Sequence, residues 1–280
     1  MDIFQAVLLG IVQGLTEFIP ISSSAHLVIL PWLLNWQDPG LAFDIALHLG
    51  TLVALLAFFA RDWIRLIRAG IASIVERKIG DDVDRRLAWL IVIASVPGAL
   101  VGALAESKIE ELFHAPNPQH NANAMIAMGV IIALLGAALF AAERLARHLR
   151  NLDQISLKDA ILIGCAQALA IFPGVSRSGA TITAGLALGF ERESAARFSF
   201  LLSAPLIAGA GAKSMFDLVR KGIAPDEMIF FGVGFLVAAL SGYLCIKFLL
   251  RFLQNNTTNV FVFYRWGLAI LVITVALMRG

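Results

Sequence analysis

Apolar residues run along this chain in stretches long enough to cross hydrocarbon, which takes about 20 residues of helix. Six such stretches fall at roughly 41–60, 86–105, 124–142, 194–212, 228–250 and 260–278. Two further apolar regions, about 1–34 and 158–190, are interrupted. The first breaks at Glu17-Phe18-Ile19-Pro20-Ile21-Ser22-Ser23-Ser24, the second at Pro173-Gly174-Val175-Ser176-Arg177-Ser178-Gly179. Irregular backbone at membrane depth is tolerated only where protein or a watery cavity satisfies its amides. A continuous span through either region would also bury Glu17 or Arg177 near the midplane, at about 3 kcal/mol each. The pattern predicts an all-α integral membrane protein with six transmembrane helices and two re-entrant helical hairpins.

Composition agrees. Apolar residues make up 59% of the 280 and charged residues 15%, against roughly 45–50% and about 25% in soluble domains. A net charge of +2 gives no case for nucleic acid. Cys165 and Cys245 both lie inside apolar runs and read as small hydrophobes. Met1-Asp2 opens the chain and no Lys or Arg precedes Arg61, so the N-terminus does not read as a secretory signal.

Basic residues set the expected orientation. A 61–86 loop holding Arg61, Arg65, Arg68, Arg77, Lys78, Arg85 and Arg86 should be cytoplasmic. The 106–123 loop, with Lys108 against Glu106, Glu110 and Glu111, suits the outside, and the 143–158 loop with Arg144, Arg147, Arg150 and Lys158 returns inside. The first hairpin then enters from the outer face and the second from the inner face. Arg279 and the near-neutral 213–227 loop fit less well.

The two broken regions match at an offset of 154. Gly10, Gln13, Leu15, Phe18, Ser22 and Ser24 correspond to Gly164, Gln167, Leu169, Phe172, Ser176 and Ser178. With three spans after each hairpin, this predicts one membrane domain made of an inverted-topology repeat, about 1–142 and about 158–280. Polar sites in such proteins form at the repeat interface from broken helices.

The chemistry-bearing residues sit at the breaks. Gln13 and Glu17 are four apart on one helical face, and Ser23 and His26 three apart on another. Ser22, Ser23 and Ser24 open an apolar helix whose free N–H groups and positive dipole end favour an anion. Gly174, Ser176, Arg177, Ser178, Gly179 and Thr181 add close backbone approach, hydroxyl donors and a planar guanidinium that matches phosphate. A carboxylate, a histidine, an arginine and a hydroxyl cluster suit phosphoryl transfer. Asp44 and His48, four apart at the start of a span, read as a structural pair ahead of a second metal or proton site, and Arg265 as a snorkelling cation.

The segments Gln13 to His26 (QGLTEFIPISSSAH) and Pro173 to Thr181 (PGVSRSGAT) resemble the two signature segments of the undecaprenyl-diphosphate phosphatase (bacitracin-resistance) family. The resemblance covers essentially the whole chain. It implies a bacterial inner-membrane enzyme, multi-pass and open to the periplasmic side, that removes the terminal phosphate of the C55 lipid diphosphate. The product is the carrier lipid of cell-wall synthesis. The resemblance also implies Mg²⁺ (or Ca²⁺), held by Glu17 and Gln13, and leaves a homodimer open. Where many members have a second Glu, this chain has Gln13, so one carboxylate remains; Mg²⁺ commonly keeps waters and leans on substrate phosphates. His26, Ser23, Glu17 and Arg177 are the implied catalytic residues, with His26 either activating Ser23 or attacking phosphorus itself. Ser22, Ser24, Gly174, Ser176, Arg177, Ser178, Gly179 and Thr181 are the implied phosphate contacts.

Two other activities share parts of this pattern. The type-2 phosphatidic-acid phosphatases need His six residues and Asp ten residues after a Ser-Arg, where this chain has Thr183 and Ala187. A flippase of the lipid carrier would suit broken helices equally well, but needs no nucleophile beside its phosphate grip.

Overall fold

The computed structural model describes residues 1–113, 122–221 and 228–279, with side chains outside 105–113 and 213–221. Helices α1 (Ile3–Thr16) and α2 (Ser23–Leu34) flank the first break. Then come α3 (Leu41–Phe58), α4 (Ala60–Val75), α5 (Val83–Phe113) and α6 (Ala122–Leu145). Helices α7 (Leu157–Ala168) and α8 (Arg177–Ala187) flank the second break, and α9 (Arg192–Lys221), α10 (Met228–Asn255) and α11 (Asn259–Arg279) complete the described fold.

Six of these helices are long and apolar enough to span a membrane: α3, α5 over Val83–Leu104, α6, α9 over Arg192–Ala212, α10 and α11. They are the six expected stretches. Leu134, Leu236, Leu240, Phe248 and Ile270 stand exposed on their outer faces, as lipid-facing side chains do. At about 1.5 Å per residue, α1, α2, α7 and α8, of 14, 12, 12 and 11 residues, do not span the hydrocarbon alone.

Two expectations change. The stretch taken as a 61–86 loop is helical over most of its length. Helix α4 exposes Ile64, Ile67, Ile71 and Ile74 along one stripe and Arg61, Arg65 and Arg68 along the adjoining one. Charge on part of the surface kept its mean hydropathy low and hid the helical period, the pattern of a helix lying in an interface. Helices α5 and α9 also run to Phe113 and Lys221, beyond the expected ends of their spans. The connecting residues 114–121 and 222–227 lie outside the described residues, as do the side chains of Glu106, Lys108, Glu110 and Glu111.

Packing follows the 154-residue offset. Helix α1 lies against α10 and α7 against α5, and one close approach in each pair falls at the corresponding glycines Gly10 and Gly164. A Cβ on Gly10 would stand 2.9 Å from the Gly234 carbonyl oxygen, and one on Gly164 2.4 Å from that of Ala94. Any side chain there would force the helix pairs apart. Phe18, beside the first break, packs edge-on against Phe200 of α9 with ring centroids 5.4 Å apart, which seats the break in the largest core cluster. Helix α2 shares a separate cluster with α6 and α11 through Ala25, Ile29, Met125, Ile132 and Val272.

The base of the second hairpin is clamped by Arg150, which donates to both carboxylate oxygens of Asp159, at 3.1 and 2.5 Å. Burial pushes the Asp159 carboxyl up, but hydrogen bonds from Arg150 and Ser156 outweigh it and hold the group below its ordinary value of 3.8.

Candidate active site

The two breaks are built alike. Ser22 and Ser176, 154 apart, each cap the helix that follows and each carry positive φ, 79° and 70°. Their Oγ atoms accept from the Ala25 and Gly179 amides at 3.4 and 3.0 Å and pair with the Ser24 and Ser178 hydroxyls at 3.3 and 3.2 Å. Positive φ outside glycine costs about 1–3 kcal/mol and persists where the surroundings over-determine it.

Arg265 supplies much of that over-determination. It is fully buried on α11. Its Nε donates to the Ile132 carbonyl at 3.0 Å, Nη1 to Pro20 at 3.0 Å and Nη2 to Gly174 at 2.9 Å. One guanidinium thus joins the two breaks through carbonyls that their irregular backbone leaves over. The snorkelling expectation is corrected here: a cation with this many carbonyl partners inside the bundle has no reason to reach for the membrane surface. A second tie runs from Ser178 Oγ to the Ile19 carbonyl, at 3.2 Å.

Glu17, one residue past α1 and buried, stands at the meeting point. Its Oε1 accepts from Arg177 Nη2 at 2.8 Å. Its Oε2 accepts from Ser23 Oγ at 2.6 Å and from Gln13 Nε2 at 3.0 Å. Ser23 and Arg177, themselves 154 apart, hold the same carboxylate from opposite breaks.

His48 Nε2 lies 3.7 Å from Glu17 Oε2. Its Nδ1 donates to the backbone carbonyl of Asp44 at 2.8 Å, not to that residue's carboxylate. The pair expected to be merely structural therefore brings an imidazole into the site. The signal available in sequence was an ionisable residue inside an apolar span, which by default marks function.

His26 is placed differently. Its Nδ1 meets the Ser22 carbonyl at 2.7 Å and must carry the proton there, so Nε2 accepts from the Tyr264 hydroxyl at 2.7 Å. The two rings stack with centroids 5.6 Å apart. The Ser23 hydroxyl is given to Glu17, not to His26.

A cavity of about 680 Å³ opens on this cluster. Glu17, Ser23, Ser24, His48, Ser176 and Arg177 form its polar end, and Gly98, Ala99, Gly102, Pro205, Leu206 and Gly209, from α5 and α9, its apolar walls. Ser22, Gly174, Ser178, Gly179 and Thr181, also expected to contact phosphate, lie behind that surface. The turn uses their groups on itself: the Gly179 amide goes to Ser176, and Thr181 Oγ1 donates to the Arg177 carbonyl at 2.8 Å and pairs with Ser199 Oγ at 2.6 Å.

A divalent cation held by Glu17 and Gln13 would find only an incomplete protein shell here. Gln13 must turn its NH₂ to the Glu17 carboxylate, which only accepts. Its buried Oε1 then has no partner among the described residues. No group of three His, Cys, Asp or Glu side chains converges among the described residues, so two side-chain oxygens would need phosphate oxygens and water beside them, as Mg²⁺ commonly takes.

Comparison with known proteins gives the chain its family. The family model described as "Bacitracin resistance protein BacA" matches residues 6–271. The undecaprenyl-diphosphatase of Thermomicrobium roseum is 46% identical over 275 residues, 98% of each chain. Those of Moorella thermoacetica and Desulforudis audaxviator are each 45% identical over the full length of both chains. With a match of that extent, running through both breaks and all six spans, the chain belongs to the bacitracin resistance protein BacA family.

Proposed function

We propose that this protein hydrolyses undecaprenyl diphosphate to undecaprenyl phosphate and inorganic phosphate, the activity for which its relatives are named. It thereby recycles the carrier lipid of cell-wall synthesis and gives resistance to bacitracin. The observation that carries the reading is the Glu17 carboxylate held at once by Ser23 and Arg177 at the polar end of an apolar-walled cavity. The polar end suits a diphosphate and the α5–α9 walls suit a prenyl chain.

Ser23 Oγ attacks the terminal phosphorus while Glu17 Oε2, already its hydrogen-bond acceptor, takes the proton. The bond from that phosphorus to the bridging oxygen breaks, and its electron pair leaves with undecaprenyl phosphate. Arg177 turns from Glu17 to the transferring phosphoryl oxygens and stabilises their charge. Water then hydrolyses the phosphoserine, restores the hydroxyl and releases inorganic phosphate. A divalent cation held by Glu17 and Gln13 would neutralise phosphate charge. His26, with both ring nitrogens engaged, fixes the first turn of α2 against α11. That arrangement favours attack by Ser23 over attack by His26. A flippase would need the phosphate grip but not a serine hydroxyl aimed at a carboxylate.

The hairpins are read as entering from opposite faces, in one domain of two inverted repeats (1–142 and 158–280), in the bacterial inner membrane with the cavity open to the periplasm. The shared offset of Ser22 with Ser176 and of Gly10 with Gly164 supports the repeat.

The test is phosphate release from undecaprenyl diphosphate by purified protein. Chelation of divalent cations should remove turnover and added Mg²⁺ restore it. Ser23→Ala should abolish turnover in a folded protein, and acid-stable phosphoserine should be trapped in the wild type. A folded Ser23→Ala variant that keeps partial turnover would transfer the nucleophile to His26.

A further inference from the structure

Gln167, on α7, is the counterpart of Gln13 at the 154-residue offset. It is 2% exposed and forms part of the cavity wall. Neither its Nε2 nor its Oε1 meets a hydrogen-bond partner among the described residues. Gln13 gives its amide to Glu17, but the position corresponding to Glu17 is Ile171, which also lines the cavity. One glutamine is thus committed to a carboxylate, while the other lies in the cavity lining with neither amide atom hydrogen-bonded among the described residues. A buried amide without a partner is destabilising, and an apolar side chain of the same volume would fill the place without that cost.

The position of the amide indicates what it binds. A Cβ on Gly98 would lie 3.7 Å from Gln167 Nε2 and 2.8 Å from a Leu206 methyl. Gly98 and Leu206 belong to the apolar walls. The Gln167 NH₂ therefore lies against the apolar wall of the cavity. We propose that Gln167 Nε2 donates a hydrogen bond to the phosphate that remains on the lipid, holding the headgroup at the seam between the polar breaks and the apolar walls. A neutral amide can do this without placing a second cation where it would have to be desolvated. The inference rests on the hydrolase reading above and adds a substrate-binding residue to it. It also predicts that substrate and product lipids share a contact that inorganic phosphate does not make.

The experiment compares wild type with Gln167→Met, which keeps volume and removes both hydrogen-bonding groups. Loss of one hydrogen bond to a charged group should raise KM for undecaprenyl diphosphate about tenfold or more. It should weaken inhibition by undecaprenyl phosphate by the same factor, leave kcat and inhibition by inorganic phosphate in place, and leave the melting temperature unchanged or higher. An unchanged KM and product affinity would overturn the proposal. A fall in kcat at constant KM would overturn it too, by moving Gln167 to the chemical step, and a lower melting temperature would make the residue structural. Direct binding of undecaprenyl phosphate needs no turnover and reads the same contact, so a wild type unable to hydrolyse the diphosphate would sink the hydrolase reading while still testing this one.

Discussion

At positions 154 apart, the first break carries Glu17, Ser23 and His26 where the second carries Ile171, Arg177 and Ala180, while Ser22 and Ser176, Ser24 and Ser178, and Gln13 and Gln167 are alike. The residues that coincide include those that make the turn: a hydroxyl capping the next helix from a positive-φ backbone, with a second hydroxyl beside it. Those that differ face the shared carboxylate, the cavity or α11. A chain that breaks its helices inside a bilayer must satisfy the freed backbone in the same way each time, but a phosphoryl-transfer site needs unlike groups on its two sides. One break supplies the carboxylate and hydroxyl, and the other supplies the guanidinium.

The sharpest attack on this division of labour is to remove one side of it. Glu17→Gln and Arg177→Leu should each lower kcat by about 10³-fold, measured as phosphate release, with Glu17→Gln still folded because the amide can accept from Arg177. Retention of more than a tenth of the activity by either would show that the breaks do not act together.

Making the breaks more alike should also be harmful. Ile171→Glu would give Gln167 the carboxylate that Gln13 already has. It would place a second anion in a cavity meant for a diphosphate, and turnover should fall about 10²-fold through KM, since like charges in a partly desolvated site repel strongly. Unchanged KM would mean that the headgroup stays away from the second hairpin.

Scaffold changes should be smaller and unequal. Gly164→Ala, whose new Cβ would meet a backbone oxygen at 2.4 Å, should destabilise by about 3 kcal/mol, and Gly10→Ala, at 2.9 Å, by about 1 kcal/mol. Thermal unfolding in detergent gives the order, and the reverse order would contradict the α5–α7 crossing.

The smallest effect concerns pH. The folded Asp159 carboxyl is held below its ordinary value of 3.8, so its stabilisation is complete above that value and is lost as pH falls through the lower folded value. The difference in melting temperature between wild type and Asp159→Asn should therefore be constant near neutrality and shrink on acidification below about pH 4. A difference that grew in acid would reverse the assigned direction.

Much of the molecule is legible without coordinates. The six spans follow from the length of their apolar runs, because hydrocarbon accepts only helices that satisfy their own backbone. The breaks announce themselves because Glu17, Arg177 and the flanking serines are costly at such depth. The offset between them is plain in the residues themselves, and Glu17, Ser23, His26 and Arg177 stand out there as the candidate reactive residues. Helix α4 was hidden because its arginine stripe lowers the mean hydropathy by which spans are found.

What no pattern along the chain could decide is which side chains meet across it. Arg265 looked like a surface-seeking cation until the breaks on either side of it proved to have carbonyls to spare, and His48 looked like a partner of Asp44 until α3 turned it to Glu17. His26 stands three residues from Ser23 in sequence, yet tertiary packing gives its imidazole to Tyr264 and the serine hydroxyl to Glu17. Hydrophobicity and local turn chemistry act through near neighbours and are written in order along the chain. Hydrogen bonds between residues 160 or 245 positions apart depend on how the helices pack, and exist only once the bundle has closed.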